Sequence, residues 1–196
     1  MKRTLTVCLL LAVALFLPMK LFAHCDGLDG PVVTAARTAL ESGNVNTVLI
    51  WVKKQDESAI RSAFEQTMAV RKQSPQAKEM ADRYFFETLV RIHRAGEGAP
   101  FDGLKAAGRD LGPAIPAADK AVESGSIDSV SSLLADSVKA GLEEKFHKLQ
   151  AKRNFDKSNV EAGREYIAAY VEFIHYVEGL YQASKNPAEG HFHQEE

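Results

Sequence analysis

The sequence predicts an all-α protein, a helical bundle built from a tandem duplication with pseudo-twofold symmetry, and three observations carry that prediction. Shifted by 82 residues, Gly30–Gly43 aligns with Gly112–Gly125 at eight identical positions of fourteen, and the same ungapped offset pairs Val48 with Val130, Phe64 with Phe146, Tyr84 with Tyr166 and His93 with His175. Within each copy the apolar residues recur at three- and four-residue steps, the period of a helix with one buried face. Pro31 and Pro113 stand where a first helical turn accepts proline, and Gly43 and Gly125 where a C-terminal cap belongs. Two copies make one domain rather than a solenoid, which needs at least three stacked units.

In chain order, residues 1–23 begin with Lys2 and Arg3, run through an apolar stretch from Leu5 to Leu17 and end on Ala23. A basic start, a core too short to span a bilayer and a small residue before the cut describe a signal peptide, so the chain is expected to be periplasmic or secreted. Cleavage removes Lys2, Arg3 and Lys20 from the 24 basic residues, which leaves 21 against 26 acidic and a formal charge of −5. That balance provides no basic field for nucleic acid. Residues 24–30 form a candidate metal hook and residues 31–98 the first helical repeat. In that repeat Val48-Leu49-Ile50-Trp51-Val52 alone reads as a strand, but its partner Val130-Ser131-Ser132-Leu133-Leu134 has helical spacing, which makes both helices. Longer helices are expected over about 57–73 and 76–95, and over about 138–152 and 157–184, so that each copy supplies two short helices and two long ones. Residues 99–111, with their glycines, read as a linker, 112–185 as the second repeat and 186–196 as a flexible tail.

Chemistry concentrates first at the new N-terminus. Cys8 leaves with the signal, and Cys25 remains without an intramolecular partner in a compartment that favours disulfides. At a free terminus the amine and imidazole of His24 and the thiolate and amide nitrogen of Cys25 form fused chelate rings around one metal, a nitrogen and sulfur donor set suited to nickel or copper. Asp26 and Asp29 stand nearby as further oxygen donors. His93 and His175 are the second candidate: equivalent under the repeat, they come to a shared location if the copies pack about a pseudo-twofold. Glu97 lies four residues after His93, and Glu172 and Glu178 flank His175 at helical spacing. Glu172-Phe173-Ile174-His175 has the Glu-x-x-His form of bundle di-metal proteins, although Val90 stands at the matching place in the first copy. The same histidines also read as core residues hydrogen-bonded between helices. His191 and His193 in the acidic tail are weak collectors of divalent metal. No phosphate loop, nucleophile elbow or paired-cysteine zinc pattern occurs.

His24-Cys25-Asp26 followed by Gly30 resembles the hook of nickel superoxide dismutase, a four-helix bundle whose mature chain begins His-Cys-Asp-Leu-Pro-Cys-Gly. The resemblance implies that His24 and Cys25 hold the first two ligand positions. Asp29 replaces the second hook cysteine and offers oxygen where that family uses sulfur. The chain as a whole resembles an uncharacterised family of exported bacterial proteins whose mature start is His-Cys-Asp-x-x-Asp-Gly-Pro, a resemblance that brings no assigned activity.

Two functions follow as expectations. One is an exported helical protein binding copper or nickel through His24 and Cys25, with His93, His175, Asp26, Asp29 and Glu172 as further ligands; its sharpest form is a redox enzyme of superoxide-dismutase type, its milder form metal storage or delivery. The other is a non-enzymatic envelope interaction module in which Cys25 makes an intermolecular disulfide, with a homo-oligomer among its forms.

Overall fold

The computed structural model describes residues 24–186, and they are all-α: among them no strand forms, only an isolated parallel bridge between Gly27 and Lys105. The expected signal peptide and the tail histidines His191 and His193 lie outside the described residues. A single 3-10 turn at His24–Asp26 leads into α1 (Pro31–Ser42), α2 (Asn46–Leu49), a second 3-10 turn at Lys54–Asp56, α3 (Glu57–Val70) and α4 (Pro75–Gly96). After a long loop come α5 (Ala114–Ser124), α6 (Asp128–Ala151) and α7 (Val160–Lys185). No described helix is long and apolar enough to cross a membrane.

Local chemistry explains most boundaries. Gly43 and Gly125 adopt φ of 72° and 71°, the left-handed conformation that ends α1 and α5 with little steric penalty. The Ser74 side chain accepts the Ala77 N–H ahead of Pro75, and Asn159 accepts the Ala162 N–H, which satisfies orphan donors at the starts of α4 and α7. Of the Val48–Val52 segment expected to be helical, only Val48 and Leu49 are, at the end of α2; Ile50 to Val52 turn away and Lys53 is extended.

The two halves differ in how they pack. In the first, α1 and α3 both lie on α4, around a core of Val33, Leu40, Ile60, Phe64, Phe85 and Leu89. Arg71 at the end of α3 ties three elements together, donating from Nε and Nη2 to Asp82 at 2.8 and 3.1 Å and from Nη1 to the Leu40 carbonyl at 2.7 Å. Burial pushes the Asp82 carboxyl up, but the hydrogen bonds from Arg71 and Lys78 outweigh it and hold the group below its ordinary range. In the second half the expected short helix and the helix over 138–152 merge into one continuous α6, which packs on α7 and α5. Leu133, Leu134 and Ala135 are good helix formers, whereas Trp51 and Val52 at the matching positions are weaker ones. The second half therefore supplies three helices rather than four, and nearly all buried apolar side chains belong to the first.

Candidate metal centre

Three side chains converge where the N-terminal segment meets the end of α4: ligand atoms of Cys25, His93 and Glu97 all lie within 4.8 Å of one another. Each arrives by a different local cause. His93 and Glu97 are four residues apart, so they stand on one face of the last turn of α4. Cys25 sits in the His24–Asp26 turn, which packs on α1 and is held from the other side by the loop after α4. The loop acts as a strap: Lys105 N–H donates to the Asp26 carbonyl at 2.8 Å, Leu28 N–H donates to the Lys105 carbonyl at 3.0 Å, and Gly108 N–H donates to the Asp29 carboxylate at 2.6 Å. The stretch expected to be only a linker therefore builds the site wall.

His93 carries the strongest chemical signal. Its side chain is 3% exposed, and Nδ1 lies 2.8 Å from the carbonyl oxygen of Trp51, which accepts only; Nδ1 therefore holds the proton and donates. In the neutral ring Nε2 is then a bare lone pair, buried and without a hydrogen-bond partner. Glu97 Oε1 is 3.1 Å from it, too poorly aligned for a hydrogen bond. A buried lone pair facing a carboxylate is relieved by positive charge between them, supplied by a proton or by a metal ion. An imidazole whose other nitrogen donates to a backbone carbonyl is the arrangement that orients a metal-ligating histidine. Trp51 further fixes the ring by edge-on contact at 5.8 Å between centroids.

Arg94 offsets part of the negative charge around the cluster. Its Nη1 donates to Glu97 Oε2 at 2.8 Å, and its Nε lies 3.4 Å from Asp26 Oδ1, all three side chains being more than nine-tenths buried. Burial, and then the neighbouring Glu97 and Asp26 carboxylates, push the Cys25 thiol up to about 11, so without a cation it stays protonated at neutral pH. Burial likewise raises the Asp26 carboxyl, with Arg94 opposing.

The other sequence candidates fall elsewhere. The His24 imidazole turns to Asp119 of α5, 3.6 Å away, beside a cavity of about 100 Å3 lined also by Arg109. Asp26 faces Arg94, and Asp29 is exposed, its carboxyl held low by the Gly108 N–H. His175 is exposed on α7 and pairs with Glu178 at 3.4 Å, while Glu172 pairs with Lys148 of α6. His93 and His175, which the sequence offset pairs, thus do not come to a shared location. Sequence reasoning placed Glu97 four residues from His93 but gave it no ligand role; its spacing was the available signal, and its closeness to Cys25 exists only in the fold.

Gly30 tests the cluster's dependence on the turn. A Cβ there would lie 2.2 Å from the His24 carbonyl oxygen and 3.1 Å from that of Gly27, so an alanine displaces the turn that carries Cys25. Gly30→Ala is expected to weaken metal binding about tenfold or more, the scale of a disturbed supporting shell, while far-ultraviolet circular dichroism keeps its helical amplitude.

Residues 29–176 match the model of a family of unknown function, a stretch that starts after Cys25 and contains both His93 and Glu97. No curated protein matches the chain, and no solved structure does.

Proposed function

The chain belongs to the family of unknown function DUF6448, and we propose that it is an exported protein binding one copper or nickel ion through Cys25, His93 and Glu97. The observation that carries this reading is the buried Nε2 of His93, oriented by the Trp51 carbonyl and facing a thiol and a carboxylate. Sulfur, imidazole nitrogen and carboxylate oxygen in one cluster favour late first-row ions over magnesium or calcium, and copper heads that order. Storage or delivery suits this site better than dismutase chemistry, because Asp29, at the place of the second hook thiolate, is engaged by the Gly108 N–H outside the cluster.

The test is to export the full chain, determine its first residue and measure bound metal. Stoichiometric copper or nickel is expected in the wild type and in His175→Ala, and less than a tenth of it in Cys25→Ser. Metal retained in Cys25→Ser, or lost in His175→Ala, overturns the assignment. Binding should also release the Cys25 proton. With the thiol at about 11, apparent affinity is expected to rise about tenfold per pH unit between roughly pH 7 and 9, read by chelator competition. A pH-independent affinity would remove the thiolate from the ligand set.

A further inference from the structure

The second half of the chain exposes the face that its counterpart in the first half buries. Under the 82-residue offset, Leu40, Phe85 and Leu89 correspond to Val122, Ile167 and Val171. The first three are at most 1% exposed, whereas the second three are 86%, 54% and 42% exposed. The cause is visible in the connection. In the first half the chain breaks at Lys53, and α1 turns back to lie on α4. In the second, α6 runs unbroken through the equivalent Ala135, and α5 packs chiefly on α6, away from the apolar side of α7.

We propose that this protein forms a homodimer by helix exchange, α5 of each chain lying on α7 of the other. The occupant is argued from the molecule itself. The segment that covers α4 in the first half, Gly30–Gly43, shares eight of fourteen residues with Gly112–Gly125, which contains α5. That helix presents Val122 to solvent at the position where Leu40 seals the first core. The face it would cover runs along α7 as Ile167, Tyr170, Val171, Ile174, Val177 and Tyr181, an i, i+3, i+4 stripe 39–60% exposed. Short connections that straighten into one helix separate an element from its own docking face and present it to a second copy, the geometry of domain swapping. The dimer repeats between chains the α1-on-α4 packing already made within each chain, and none of Cys25, His93 and Glu97 lies on α5 or α7.

Light scattering of the full chain in solution tests the stoichiometry, and a disulfide pair tests the contact. Val122→Cys with Val171→Cys, in a Cys25→Ser background, is expected to give a covalent dimer on oxidation, seen on a non-reducing gel. A covalent monomer of faster mobility would show α5 closing on its own α7 and overturn the exchange, as would a monomeric, uncrosslinked chain. The hinge gives a second arm. Ala135→Pro breaks α6 where the first half already breaks, and is expected to convert the dimer to a folded monomer that loses helix only around the break. A dimer that persists in folded Ala135→Pro contradicts the hinge.

Discussion

His93→Ala is expected to lower metal affinity by more than about 100-fold, beyond the 10- to 100-fold typical of losing a supporting residue, because it removes a first ligand together with the orientation that ligand receives. The ring is pinned by the Nδ1 hydrogen bond to Trp51 and by the Trp51 edge, so Nε2 points at Cys25 and Glu97 with little freedom to lose on binding. The variant also leaves the Trp51 carbonyl without its donor, at a cost of about 1–3 kcal/mol. His93→Asn separates the two effects. Its amide nitrogen overlays Nδ1 and can still donate to that carbonyl, which restores part of the stability, but it supplies no imidazole to the ion. Metal analysis with a denaturant titration distinguishes them: metal absent with stability above that of His93→Ala is the expected outcome for His93→Asn. Full metal loading in either variant would place the centre elsewhere.

Replacing Arg94 with methionine is expected to destabilise the metal-free protein by about 3–5 kcal/mol, the cost of leaving buried charge uncompensated. Asp26 and Glu97 both face its guanidinium, and all three side chains are less than a tenth exposed. The loss carries a pH signature. Burial already raises the Asp26 carboxyl against Arg94, and removing the arginine raises it further. A group whose folded pKa exceeds its unfolded one binds protons preferentially in the folded state, so stability is present in acid and lost as pH climbs through the raised value. Urea midpoints of Arg94→Met should therefore recover on acidification from neutral pH toward the ordinary carboxylate range, more than those of the wild type. Added copper or nickel should also restore part of the stability, since a ligand that binds only the folded state stabilises it by mass action. A midpoint unchanged from wild type at neutral pH would mean that Arg94 does not neutralise these carboxylates.

Much of the helical layout was legible because its signals are local. Proline after Gly30, serine before Pro75 and glycine at 43 and 125 act through the backbone of their own turns, and apolar spacing of three and four marks the buried side without reference to any neighbour. The merger that produced α6 was not legible. Val48–Val52 and Val130–Leu134 were read together as short helices, and what separates them is whether the following residues continue the helix or yield to packing. In the first half Lys53 is extended, and its aliphatic stem lies 3.7 Å from a Cβ position on Gly96. In the second, Ala135 at the matching position is exposed, and the helix continues through it.

The candidate site divides along the same line. By itself the sequence determined the helices, the pairing of His93 with Glu97 on one helical face, and the lone cysteine beside the expected cleavage point, because each depends on neighbours within a turn or on composition. Only the tertiary structure decided which histidine matters. The sequence offset pairs His93 with His175, yet one is sealed beneath the N-terminal turn and the strap while the other faces solvent. Burial is a property of what the rest of the chain places over a residue. It is burial that deprives Nε2 of water, raises the Cys25 thiol and brings a thiol from one end of the sequence against a carboxylate more than seventy residues away.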